Sequence, residues 1–153
     1  MNAARELRSE TDIASTPDRV WAVLTDLDRL PELSTELVKM VPLKPGGLKL
    51  GQQYLGLNKR KAVVWPSRSK VIALEPDREL AWHTYSSGAT WIFELAPIDG
   101  GTRVVHRRPV PRGLTALSKV FAAVFLGGGE HHADELEVHL DQTLSRLKAA
   151  VEG

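Results

Sequence analysis

The chain has 153 residues, 42% hydrophobic and 25% charged, which suits one folded domain with a substantial core and excludes a disordered protein. Twenty basic residues stand against nineteen acidic ones, a balance that argues against nucleic acid as the partner. Cysteine is absent, which excludes disulfides, zinc fingers and thiolate chemistry.

Residues 1–10 mix charged and small side chains without the apolar stretch of a secretory signal. The most apolar run, 120–126, is far shorter than the roughly 18 residues needed to cross a bilayer. A cytoplasmic protein without stable membrane insertion is therefore expected. No repeat or low-complexity linker divides the chain, so 1–153 reads as a single domain.

In chain order, residues 7–14 alternate polar and apolar positions and predict a first strand. Thr16-Pro17-Asp18 then starts a helix: a hydroxyl placed to cap, a proline where its missing N–H is harmless, an acid at the positive end of the dipole. Val20, Trp21, Leu24 and Leu27 form one face of it, and Pro31-Glu32-Leu33 predicts a short second helical turn. Six extended runs follow, at 36–43, 52–59, 63–74, 79–85, 90–96 and 102–108. Turn residues such as Pro76-Asp77, Ser86-Ser87-Gly88 and Asp99-Gly100-Gly101 separate them, as in an antiparallel meander. Beyond Pro109 and Pro111, an apolar helical segment at 114–126 meets Gly127-Gly128-Gly129. A long amphipathic helix at 130–152 follows, with Ala133, Leu136, Leu140, Leu144, Leu147 and Val151 as its stripe.

This order predicts an α+β fold. A curved seven-stranded antiparallel sheet wraps around a long C-terminal helix, with two short helices after strand 1. One helix cannot cover so curved a sheet, and the gap is where a small molecule would sit.

The same order resembles the START/polyketide cyclase-like superfamily (SRPBCC), whose architecture is the helix-grip fold. Thr11-Asp12-Ile13 with Thr16-Pro17-Asp18-Arg19-Val20-Trp21 resembles its first strand and helix start. Asp26-Leu27-Asp28 with Pro31-Glu32 resembles its helix–helix corner, where Leu33 stands in place of a tryptophan common in the family. Gly51, Tyr54, Gly56 and Asn58 resemble a strand pattern of actinobacterial members. Glu75-Pro76, Leu80-Ala81-Trp82, Gly100-Gly101-Thr102, Thr143-Leu144 and Leu147-Lys148 complete the likeness. The resemblance implies a fold and a pocket; it does not fix a reaction, since its members include lipid carriers, hormone receptors and aromatase/cyclases.

Strand alternation selects the residues expected to line that pocket: Tyr54, Asn58, Ser67, Ser69, Val71, Trp82, Thr84, Trp91, Phe93, Val104 and His106. Phe121, Phe125, His132, Leu136 and Leu140 are expected to cover it. An apolar lining with a few neutral polar groups suits a mostly hydrophobic ligand carrying one or two oxygens. Trp82 and Trp91 read either as platforms for rings or as plain core. His106, with Tyr54 beside it, is the candidate acid–base group; its other reading is a histidine bonded into the strand network. His131, His132, Glu135 and His139 lack a metal-binding arrangement and read as a solvated helix end, so neither metal nor other cofactor is expected. The three glycines offer a hinge, which makes 114–126 either a mobile lid or a fixed cover. Lys59-Arg60-Lys61 reads as a solvated turn. Arg103, Arg107, Arg108 and Arg112 read as a basic surface near that segment.

Three functions remain open at this point: a carrier of a hydrophobic small molecule, a cyclase/aromatase or dehydrase using His106 or Tyr54, and a protein-interaction module. Whether any reaction is catalysed, and the oligomeric state, stay undecided.

Overall fold

A computed structural model of the chain describes residues 6–34, 36–111, 115, 116, 120 and 129–153, with 129–133 as backbone only. The strands are β1 (Leu7–Ile13), β2 (Leu37–Pro42), β3 (Gln53–Arg60), β4 (Val63–Glu75), β5 (Glu79–Thr84), β6 (Ala89–Ile98) and β7 (Gly101–Arg108). Helices α1 (Pro17–Leu24) and α2 (Leu30–Leu33) follow β1, and α3 (Gly129–Glu152) ends the chain. The strands form one antiparallel sheet in the order β1-β7-β6-β5-β4-β3-β2, so β1 and β2 are its edges. This is the helix-grip architecture that the element order predicts.

Local chemistry sets the boundaries. Thr16 takes the N-cap position of α1 in extended conformation but makes no side-chain capping bond. Its hydroxyl goes to the Asp18 carboxyl instead, which helps hold that acid below its usual range. α1 stops at Leu24, short of the face expected to reach Leu27; Thr25 leaves helical geometry at the C-cap, and its hydroxyl donates back to the Trp21 carbonyl at 2.7 Å. At Gly101 a side chain would meet the Ile13 carbonyl oxygen at 2.1 Å, so only glycine lets β7 start this close to β1.

The core lies between the sheet, α1 and the C-terminal half of α3, around Ile13, Val20, Leu24, Phe93, Val104, Leu144 and Leu147. Among the described residues, α3 packs chiefly along β1, with lesser contact to β7, α1 and α2. Polar contacts fix its position. Ser9 bonds the Asp141 carboxylate, Lys148 Nζ donates to the Asp12 carbonyl at 2.6 Å, and Arg146 donates to the Ser34 carbonyl at 2.9 Å. No helix among the described residues is long and apolar enough to cross a membrane.

Candidate functional site

Register arranges the inner face of the sheet in rows. Asn58 lies opposite Trp65, and Gly56 opposite Ser67. Tyr54, Ser69, Thr84 and Ala89 form the next row, followed by Val71, Trp82 and Trp91. Leu80, Phe93, His106 and Ser9 form another, and Leu95, Val104 and Thr11 the last. Tyr54, Asn58, Ser67, Ser69, Val71, Trp82, Thr84, Trp91, Phe93, Val104 and His106 therefore share one face. On α3, Leu140 is buried and Leu136 half-buried. Phe121, Phe125 and all of the predicted lid except residues 115, 116 and 120 lie outside the described residues, as does the side chain of His132.

Packing on this face is uneven. Leu80, Phe93, Leu95 and Val104 are closed off, whereas Asn58, Trp65, Ser67, Trp82 and Trp91 keep part of their surface exposed. Gly56 is closely enclosed instead, since a side chain there would meet the Ser67 hydroxyl at 2.7 Å and the Leu37 methyl at 3.3 Å. The polar groups pair along the rows. Asn58 Nδ2 donates to Ser67 Oγ at 2.9 Å and to the Trp65 carbonyl at 3.3 Å, and the Ser69 and Thr84 hydroxyls bond each other at 2.8 Å. Such pairing lets neutral polar groups sit among apolar neighbours at little cost.

His106 is buried and stacks on Phe93, with ring centroids 3.8 Å apart and planes 8° from parallel. Burial pulls its pKa down to about 4, against a smaller opposing effect of its bond to Ile92. The ring is thus neutral at pH 7. Nδ1 sits 2.9 Å from the Ile92 carbonyl, which can only accept, so Nδ1 carries the hydrogen and Nε2 is an acceptor. Burial also raises the pKa of the Tyr54 hydroxyl and keeps it a neutral donor.

Alternation holds further along the strands than charge suggests. Arg108 continues the inward series Thr102, Val104, His106 and is 3% exposed, so it does not belong to a basic surface. Arg103 and Arg107 do lie outside, but both are paired: Arg103 with Asp12 at 2.9 Å, Arg107 with Glu94 at 2.8 Å and Glu6 at 3.0 Å.

Arg60 continues the inward series Tyr54, Gly56, Asn58 and forms a two-pronged bond with Glu135 of α3. The expected solvated turn and solvated helix end are therefore clamped together. Around the clamp, burial lifts the Glu36 carboxyl to about 7, Arg60 opposing and Glu135 adding to the shift. Burial likewise lowers His139, whose Nδ1 is enclosed without a hydrogen-bond partner. The signal that would have found Arg60 and Arg108 is the same period-two alternation. Among the described residues no group of three or more His, Asp or Glu side chains is disposed to hold a metal.

At the opposite end of the strands, Pro17, Asp18, Asp77, Arg78 and Leu95–Pro97 line an open surface groove, remote from the polar rows.

A curved sheet gripping one long helix, with an inner face of aromatic and paired polar groups, defines a protein of the helix-grip class. The chain belongs to the family described as polyketide cyclase / dehydrase and lipid transport, which it matches over residues 4–152, within the polyketide cyclase-like superfamily. Its fold is similar to the solution structure of the KanY protein, at TM-score 0.73 and 20% identity over 100% of both chains. It is similar too to a protein of Thermus thermophilus, at TM-score 0.72 and 16% identity, covering 96% of this chain and 97% of that one. The di-domain ARO/CYC StfQ from the steffimycin biosynthetic pathway matches at TM-score 0.72 and 15% identity, over 96% of this chain and 50% of that one. A search of curated proteins finds no match.

Proposed function

We propose that the chain binds or carries a small hydrophobic molecule bearing one or two oxygen atoms, held between the half-open part of the sheet's inner face and α3. The observation behind this reading is the uneven packing: three tryptophans, Trp65, Trp82 and Trp91, point inward yet keep exposed surface beside Asn58 and Ser67. An apolar wall with a few placed polar groups is what a lipid-like or polyketide-like ligand requires. Tyr54 as donor fits a carbonyl or hydroxyl of such a ligand, and His106 Nε2 as acceptor fits a hydroxyl. The family description, which names both cyclase/dehydrase and lipid transport, supports the class of ligand.

The state of His106 favours binding over acid–base turnover. A ring that resists protonation until about pH 4, with its Nδ1 hydrogen committed to Ile92, is a weak proton acceptor at pH 7. Native mass spectrometry of the purified protein, with analysis of whatever is released on denaturation, tests the reading. A co-purified lipid or polyphenol, together with quenching of tryptophan fluorescence on its return, is the expected result. A clean apo mass, with no thermal shift across fatty acids, sterols and polyphenols, would sink it. Turnover of a polyketide-like compound lost in His106→Gln while binding persists would move the assignment to an enzyme.

A further inference from the structure

Residues 37–74 contain eight basic side chains and no acidic one, from Lys39 to Lys70. The rest of the chain holds twelve basic and nineteen acidic residues, so the near-neutral total conceals a separation of charge. The positive stretch is β2, β3 and most of β4, which are neighbours at one edge of the sheet.

Register shows what the outer face of these strands presents. Val41 lies opposite Leu55, and Leu55 opposite Arg68. Lys39 lies opposite Leu57, and Leu57 opposite Pro66. Lys59 lies opposite Val64, and Gln53 opposite Lys70. Val41, Leu55, Leu57 and Val64 are 42–52% exposed, and Leu43, Leu50 and Ile72 of the same stretch are open as well. Arg68 bonds the neutral Gln53 side chain, so its charge is retained. Among the described residues, only Arg60 of the eight cations turns inward to a carboxylate.

We propose that this outer face of β2–β3–β4 docks on an anionic lipid bilayer. Aliphatic side chains interleaved with lysines match a bilayer's two layers, since the chains enter the acyl boundary while the ammonium groups reach the lipid phosphates. Nucleic acid fits this face less well. Its recognition relies on hydrogen-bonding groups and stacking aromatics, and Tyr54 and Trp65 of these strands point to the other face. The proposal is independent of what the inner face binds, because it uses none of those residues.

The test is co-sedimentation of the full chain with vesicles of phosphatidylcholine alone and of phosphatidylcholine with roughly one-third phosphatidylglycerol, which sets the negative surface potential. Binding is expected to the mixed vesicles only, and to weaken steeply at high salt as the screening length shortens. Lys39→Glu/Lys59→Glu/Lys70→Glu should weaken it about a hundredfold. Leu55→Ser/Leu57→Ser should weaken it several-fold with every charge retained, and Arg103→Glu on β7, next to the far edge, should leave it unchanged. Since these side chains are exposed and Lys70 is half-buried at most, far-UV circular dichroism must stay native. A variant that fails this check is replaced by its Lys→Gln or Leu→Ala counterpart.

No binding to the mixed vesicles, or equal binding to both, overturns the proposal. So does a self-association in the ultracentrifuge that the Leu55/Leu57 variant abolishes, which would assign the face to a second copy. Displacement by duplex DNA, undiminished in that variant, would assign it to nucleic acid.

Discussion

The two halves of this sheet are built alike and finished differently. On the β1–β7–β6 half the inner face is closed by Ile13, Phe93, Leu95 and Val104 against α1 and α3. Its outer face carries matched charges: Arg8 with Glu10, Arg103 with Asp12, Arg107 with Glu94 and Glu6. On the β2–β3–β4 half the inner face is polar and half-open around Asn58, Ser67 and Trp65. Its outer face is aliphatic and cationic, with no acid among residues 37–74. One antiparallel frame thus carries a closed, charge-matched half and a half-open, cationic one. Under the two proposals above, the second half would meet a ligand on its inner face and a bilayer on its outer one, while Tyr54 and Val71 tie it into the shared core.

That division can be broken most strongly at Phe93. It is 2% exposed under the His106 ring, so Phe93→Ala should cost about 4 kcal/mol in urea unfolding. A comparable loss from Trp82→Ala, on the half-buried row, would erase the distinction between closed and open regions. The next largest effect concerns the clamp that ties the open half to α3. Arg60→Ala removes the two-pronged bond to Glu135 and should cost about 2 kcal/mol, below the range for a fully buried pair because both partners keep some exposure. Arg103→Ala, removing an exposed pair, should leave the unfolding midpoint within error.

The same contrast explains what the sequence made legible. Element order, turn residues and period-two alternation specify all seven strands and put His106, Phe93 and Tyr54 on one face, because their polarity agrees with their position. Arg60 and Arg108 were misread because charge was allowed to outweigh alternation. Their inward placement depends on long-range partners such as Glu135, 75 residues away, which no local pattern reveals. The Glu36 environment was illegible for the same reason, since its burial is created by β3 and α3. The outer apolar–cationic face was in plain view, yet hidden by a net charge taken over the whole chain.

Glu36 offers a subtler probe of the junction between the halves. Its carboxyl is raised to about 7 from 4.5, so the folded state binds the extra proton between those values. Its contribution is fully present below pH 4.5 and is lost as pH rises through 7. His106 runs the other way: lowered from 6.5 to about 4, it contributes fully above pH 6.5 and is lost as pH falls through 4. The two oppose each other over most of that interval. Glu36→Gln should therefore match the parent near pH 4.5 and exceed it by roughly 1–2 kcal/mol at about pH 8, and its stability should rise with pH along the limb set by the lowered His106 and His139. Thermal melts of both proteins across that range would decide this; parallel curves would refute a buried acid at this position.

Among the inner-face changes the smallest stability effect belongs to Asn58, and there the two proposed roles of the sheet should separate most cleanly. Its amide bonds Ser67 and the Trp65 carbonyl on a half-buried surface, so Asn58→Ala should cost only about 1 kcal/mol. The same change frees the Ser67 hydroxyl and removes a polar group from the open face, so the affinity or selectivity for an oxygen-bearing ligand should shift more than the fold does. Titration of tryptophan fluorescence with a hydroxylated ligand and its deoxy analogue reads this directly. Narrowed discrimination between the two, with a nearly unchanged melt, assigns Asn58 to recognition. Unchanged discrimination with a destabilised fold would make the Asn58–Ser67 pair part of the scaffold, and the open half would then recognise by shape alone.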